Sequence, residues 1–200
     1  MHRKLESQNL LIASHNAGKI SEISALLSQH GIKSLSAASL NLPEPEEDGL
    51  TYLENALIKA RACMALTNLA VLADDSGIEV AAFGQQPGVD TAPYTKKLGT
   101  REKVFALWQA DPALKENPRA SFVCVQVLMW PDGHFEHFFA RVSGRLAFPP
   151  RGLGGHGYDP IFIPDGHSST MAEMNLEEKN SFSHRSRALR SLIANCLAPK

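Results

Sequence analysis

The sequence predicts an α/β protein with a mixed β-sheet, and three observations carry that prediction. The first half alternates short apolar runs with segments of helical periodicity, as at Leu10–Ala13 followed by Ile20, Ile23, Leu26 and Leu27. In the second half two long strand-like runs, Phe122–Trp130 and Phe135–Leu146, flank Pro131-Asp132-Gly133-His134. Pro-Asp-Gly between such runs is a hairpin signal, so antiparallel pairing joins the parallel pairing that alternating strands and helices favour. A stripe of Ala188, Leu189, Leu192, Ile193 and Cys196 then predicts a closing helix over Ser181–Leu197.

Along the chain, Leu10–Ala13 reads as a buried strand entering the loop Ser14-His15-Asn16-Ala17-Gly18-Lys19. The helix behind that loop stops at Gly31, and Ile32–Ala37 reads as a second strand. Leu42–Gly49 holds Pro and the acids Glu44, Glu46, Glu47 and Asp48, which makes it a loop. Thr51 is placed to cap a helix bearing Leu53, Leu57, Ala60 and Met64, with Glu54 at the capping-box position. Ala70–Ala73 is a short strand whose end carries Asp74-Asp75-Ser76-Gly77. Gly84–Gly99 reads as loop, Arg101–Gln109 as helix, Phe148–Tyr158 as a Gly/Pro loop and Ile161–Ile163 as a short strand.

A chain of 200 residues that is 44% hydrophobic supports one substantial core, in one domain or one domain pinched into two lobes. Twenty Lys and Arg nearly balance 21 Asp and Glu, which argues against a duplex nucleic-acid binder. A compact anionic ligand needs only a few cations and amides, and the balance leaves it open. No apolar run approaches the roughly 20 residues that cross a bilayer, and Met1–Asn9 is polar. The expectation is a soluble, cytoplasmic protein. Cys63, Cys124 and Cys196 are odd in number and lack metal-ligand spacing, so they read as free thiols.

Five segments have the composition of chemistry. Ser14–Lys19, between a strand and a helix, offers helix-start amides, hydroxyl and amide side chains and a Lys, a set suited to phosphates. It lacks the Walker spacing, and an ordinary capped turn would look alike. Asp74 and Asp75 at a strand's end are costly to desolvate without a cation, and a Mg²⁺ site or an Asp-rich turn would answer that cost. The acidic loop around Glu44 is a second source of metal ligands or a solvated face. Gly152–Pro160 is a backbone suited to a flat ligand or a plain surface loop, with His156 and Tyr158 able to stack on a base and Asp159 to accept from ring N–H groups. Around Glu178-Lys179-Asn180 and Ser183-His184-Arg185, donors gather near a helix start, and a solvated cationic face would read the same way.

Together, and in this order, the five segments resemble the inosine triphosphate/xanthosine triphosphate pyrophosphatase family from Leu10 to about Leu192. The motifs carrying the resemblance are Ser14-x-Asn16-x-x-Lys19, Gly49-Leu50-Thr51-Tyr52-Leu53-Glu54-Asn55-Ala56, Asp74-Asp75-Ser76-Gly77, Gly157-Tyr158-Asp159-Pro160-Ile161-Phe162, and Glu178-Lys179-Asn180 with Ser183-His184-Arg185. The resemblance implies an elongated mixed sheet flanked by helices, in two lobes with a central cleft, and a homodimer. It also implies Mg²⁺-dependent hydrolysis of ITP, dITP and XTP to the monophosphate and pyrophosphate.

By the same resemblance, Ser14, His15, Asn16, Ala17, Gly18 and Lys19 hold the triphosphate. Asp75 is general base and metal ligand, Asp74 supports it, Glu44 is a second ligand and Ser76 touches substrate. His156, Gly157, Tyr158 and Asp159 meet the base, with Lys179, His184 and Arg185 donating to its six-position carbonyl. Two positions depart from the family pattern. His156 stands where most members carry Phe or Trp, and Thr91-Ala92-Pro93-Tyr94 stands where they carry Ser-Ala-Arg-Tyr. The alternatives are a pyrophosphatase for another modified nucleotide and a nucleotide-binding module without catalysis.

Overall fold

Strand β1 (Asn9–Ile12) is fully apolar after its first residue, which suits a strand covered on both faces. It leads into helix α1 (Ala17–Gln29), then β2 (Lys33–Ser36), α2 (Tyr52–Thr67) and β3 (Val71–Val80). Helices α3 (Thr91–Leu98), α4 (Arg101–Ala110) and α5 (Pro112–Glu116) follow. The hairpin strands β4 (Arg119–Met129) and β5 (Phe135–Leu146), short β6 (Phe162–Pro164), and α6 (Leu176–Phe182) and α7 (His184–Cys196) complete the chain. The computed structural model describes residues 2–197.

The six strands form one sheet in the order β2-β1-β3-β4-β5-β6. β1 lies parallel to both β2 and β3, whereas β5 and β6 are antiparallel, so the sheet is mixed as expected. The chain packs as two compact units. One comprises Met1–Asp75, Cys124–Ala140 and Arg185–Lys200; the other comprises Ser76–Val123 and Arg141–His184. In the first unit α1 and α7 cover one sheet face through Ile23, Leu27, Leu189 and Leu192, and α2 covers the other through Ala56, Leu57 and Ala60. The second unit has its own core around Trp108, Phe122, Ile161 and Phe162.

Three expectations change. Asp74-Asp75-Ser76-Gly77 is not a turn at a strand's end but the middle of β3, because Ile78 and Val80 continue the buried alternation beyond it. Gly77 is needed there because a Cβ would strike the carbonyl of Gly88 and the hydroxyl of Thr91. Gly84–Gly99, read as loop, contains α3. Tyr94 and Leu98 give it one apolar face, and Pro93 falls in the first turn, where N–H groups have no helical acceptor. The closing helix is two helices, broken at Ser183, whose extended backbone (ψ 155°) has the geometry of a cap residue ahead of α7.

Candidate active site

In the first unit, Asn16 caps α1. Its Oδ1 accepts from the amides of Gly18 (3.0 Å) and Lys19 (3.1 Å), and its own amide donates to Ser14 Oγ (3.1 Å). The His15 ring meets the carbonyl of Leu42 at 2.8 Å and ties this loop to the acidic one. Lys19, in the first helical turn, reaches Asp74 Oδ2 at 3.1 Å.

Side chains alternate along a strand, so Asp74 and Asp75 face opposite sides of the sheet. Asp74 is 2% exposed and lies on the α1/α7 side, where Arg185 Nε donates to the same Oδ2 at 3.2 Å. Arg185 Nη1 also donates to Glu22 of α1. Burial pushes the Asp74 carboxyl up, but Lys19 and Arg185 outweigh it and hold the group well below the usual carboxylate range. The Cys124 thiol, 4.0 Å away, is pushed up to about 12 by burial and by Asp74, so it stays protonated.

Asp75 lies on the α2 side and is held more loosely. Lys59 Nζ is 3.3 Å from Oδ1, and Asn55 Nδ2 is 3.4 Å from Oδ2. Lys59 is closer to Glu47, at 2.6 Å. Burial pushes the Asp75 carboxyl up, Lys59 and Lys19 only partly offset it, and Glu47 and Asp74 add to the rise. The result lies above the usual carboxylate range, the mark of a site short of positive charge. Glu44 is exposed, and the loop acid that reaches Lys59 is Glu47. Among the described residues, no group of three or more His, Cys, Asp or Glu side chains is placed to hold a metal alone.

The second unit carries the other predicted residues. Half-buried Ser76 continues β3. Asp159 is buried and accepts from Lys179 Nζ (2.8 Å) and from the amide of His156 (2.6 Å). Gly155 allows this fold-back, since a Cβ there would strike the Asp159 carboxylate. His156 is exposed. Tyr158 is turned into the core against Phe105 and Trp108, with its hydroxyl 2.8 Å from that of Thr95. His184 stacks on Phe122, ring centroids 4.8 Å apart.

Residues 10–195 match the profile of the Ham1 family. The chain belongs to the Ham1 family. Among its relatives, a dITP/XTP pyrophosphatase of Agrobacterium fabrum is 43% identical, covering 98% of this chain and 99% of its own. That of Zymomonas mobilis is 45% identical over 98% of this chain and 95% of its own. A solved Ham1 protein from Coxiella burnetii superposes with a TM-score of 0.81 at 38% identity, covering 93% of this chain and 96% of that one.

The sequence reading gives Glu22, Asn55 and Lys59 of the first unit's site no role, and it has Glu47 only as one of four acids in the loop. Two left a signal in the periodicity. Glu22 sits in the buried face of α1 with Ile23, Leu26 and Leu27, and Lys59 sits in the buried face of α2 with Ala56, Ala60 and Cys63. A charge inside a buried stripe requires a buried partner.

Proposed function

We propose that the protein hydrolyses non-standard purine nucleoside triphosphates (ITP, dITP and XTP) to the monophosphate and pyrophosphate, with Mg²⁺ as cofactor. The observation that carries this reading is the pair of Asp75, a buried carboxyl with too little positive charge beside it, and Asp74, locked to Lys19 on the opposite face. The dITP/XTP pyrophosphatases that share 43% and 45% of their residues with this chain support the same reaction.

The donor set fits Mg²⁺, a hard cation held through one or two carboxylates together with substrate phosphates. Asp75 would be one ligand, with Glu47 or Glu44 from the acidic loop as a second and Asp74 supporting from the opposite face. When bound, the ion neutralises phosphate charge and stabilises the charge that develops in the transition state. The triphosphate falls to the first unit, where Lys19 and the Ser14–Gly18 loop meet it and Lys59 adds charge. Asp75 accepts a proton from a water whose oxygen attacks the α-phosphorus. The bond from that phosphorus to the α–β bridging oxygen breaks, and its electron pair leaves with pyrophosphate.

Base recognition falls to the second unit. Lys179 Nζ beside Asp159 sets a donor next to an acceptor. Hypoxanthine and xanthine present the complement, a carbonyl at position six and N–H at position one, whereas adenine presents the reverse. Adenine would set donor against donor and acceptor against acceptor, which is costly where the groups are desolvated. His156 would lie against the ring and His184 would complete the pocket. The assembly in this reading is a homodimer, checked by sedimentation.

The test is pyrophosphate release from ITP, XTP, dITP, GTP and ATP with Mg²⁺ and with EDTA. The expected result is Mg²⁺-dependent turnover of the first three well above the last two. Turnover of another modified nucleotide instead would redirect the reading to the substrate that exposed His156 and Pro93 permit. No turnover of any nucleotide would reduce the protein to a binding module.

A further inference from the structure

In the second unit, residues 151–157, which lead into the base-reading residues, are all exposed, so side-chain packing does not fix this loop. A segment with so little burial has low local stability unless hydrogen bonds brace it. The loop closes at its neck, where the Arg151 amide donates to the Pro160 carbonyl (2.8 Å). Further braces come from one short turn, Thr170–Glu173.

That turn is closed on itself. The Glu173 amide donates to the Thr170 carbonyl (3.1 Å), and the Thr170 amide donates to Glu173 Oε2 (2.7 Å). The Met171 amide ties the turn to the sheet by donating to the carbonyl of Phe162 (3.0 Å), the first residue of β6. From this anchored turn three hydrogen bonds reach the loop. Thr170 Oγ1 donates to the Arg151 carbonyl (2.9 Å) at its start. The Gly154 amide donates to the Ala172 carbonyl (3.0 Å) in its middle, and the Ala172 amide donates to the Asp159 carbonyl (3.3 Å) at its far end. At Gly152 the two segments pass so closely that a Cβ would strike the Ala172 carbonyl.

Thr170 makes the one side-chain contact of those three. It is 0% exposed, and a hydroxyl so buried is costly unless paired, so its bond to Arg151 holds the loop's first residue against the turn. Asp159, held by the same turn, is the acceptor that would read the purine beside Lys179. We propose that Thr170 is a positioning residue for the base loop, and that the Thr170–Glu173 turn thereby sharpens selection among purines. The proposal rests on the reading that this loop meets the base.

A displaced base loop weakens nucleotides through their base. Inorganic pyrophosphate, which has no base, is indifferent to it. ITP, which gains from the Lys179–Asp159 pair, loses more than ATP.

The experiment uses the Mg²⁺-loaded protein with three variants. Thr170→Val keeps the shape and removes the hydroxyl, Thr170→Ser keeps the hydroxyl, and Gly152→Ala pushes the loop off the turn. Turnover of ITP and ATP is measured beside calorimetric binding of pyrophosphate and inosine monophosphate, and folding is checked by thermal unfolding. Thr170→Val is expected to raise KM for ITP about tenfold, the scale of one misaligned hydrogen bond, with kcat within about threefold. The ITP-to-ATP preference in kcat/KM should fall by roughly five- to tenfold. Gly152→Ala should follow the same pattern, Thr170→Ser should stay close to the wild type, and pyrophosphate binding should not change.

A fall in melting temperature with KM and preference unchanged would overturn the proposal, leaving Thr170 a structural residue. An equal loss for ITP and ATP with weakened pyrophosphate binding would also overturn it, because the effect would not be confined to the base. A wild type that releases pyrophosphate from no nucleotide would instead sink the proposed function. Thr170→Val must then still weaken inosine monophosphate binding for the positioning role to stand, and a wild type that does not bind inosine monophosphate would overturn both.

Discussion

The two faces of β3 treat adjacent aspartates in opposite ways. On the α1/α7 face Asp74 meets Lys19 and Arg185 within 3.2 Å, and its carboxyl is held well below the usual range. On the α2 face Asp75 shares one ammonium with Glu47, at the longer distance of 3.3 Å, and its carboxyl is held above that range. Strand alternation alone separates the two environments. One face compensates its carboxylate with two cations. The other leaves a charge under-compensated, as the cation-binding base of the proposed function requires.

The largest effect should come from Asp75→Asn. Turnover of ITP is expected to fall by roughly 10²–10⁴-fold, the usual worth of a general base. The metal-free variant should also melt above the wild type, because an amide carries no charge to desolvate. The sign follows from Asp75's raised folded-state pKa. A group so shifted contributes stability below its unfolded value, about 3.9, and loses that contribution as pH rises through the folded value. The gain from Asp75→Asn should therefore be full at neutral pH and vanish in acid, as read by thermal unfolding in EDTA. An equal gain at both pH values would mean that charge is not the cause.

The next largest effect belongs to the opposite face and has the opposite sign. Asp74→Asn removes the shared acceptor from Lys19 and Arg185, and breaking a buried pair in this way costs about 3–5 kcal/mol. Glu22 still holds Arg185, which places the expectation near the lower figure. Asp74's depressed folded-state pKa gives wild-type stability that is present above about pH 3.9 and is lost as pH falls through the folded value. The wild type and Asp74→Asn should thus converge in acid, while the wild type and Asp75→Asn diverge toward neutrality. Urea unfolding across pH measures both, and parallel curves would erase the distinction between the faces.

Much of this was legible in the sequence because it depends on local rules. The β4–β5 hairpin follows from Pro131-Asp132-Gly133, and the α2 cap from Thr51, whose hydroxyl accepts from the amide of Glu54. Asp74 and Asp75 announce a costly desolvation wherever the strand ends. That they fall on opposite faces required knowing that β3 runs on through Gly77 to Ile78 and Val80, and the close approach of Gly88 and Thr91 explains why residue 77 is Gly. That Glu47 rather than Glu44 reaches Lys59 depends on a loop path that no periodicity encodes. Arg185 likewise sits in a legible motif, but its ion pairs with Glu22 and Asp74 are tertiary and follow from no local rule.

The smallest effect tests whether the faces are independent. Thr51 caps α2, the helix that brings Asn55 and Lys59 to Asp75 and makes none of the contacts to Asp74 described above. Glu54 reinforces the start by accepting from the amide of Leu50 at 2.8 Å. Replacing a Thr cap by Ala costs about 1 kcal/mol. Thr51→Ala should therefore lower stability by about that much in urea. Because the loss loosens the first turn of α2, it should also weaken the hold of Lys59 on Asp75 and lower kcat/KM by a few-fold. Pyrophosphate binding through Lys19 should change less than kcat/KM does. If both fell together, the α2 face and the Asp74 network would be one cooperative site, and the contrast between two neighbouring carboxylates would be a gradient within it.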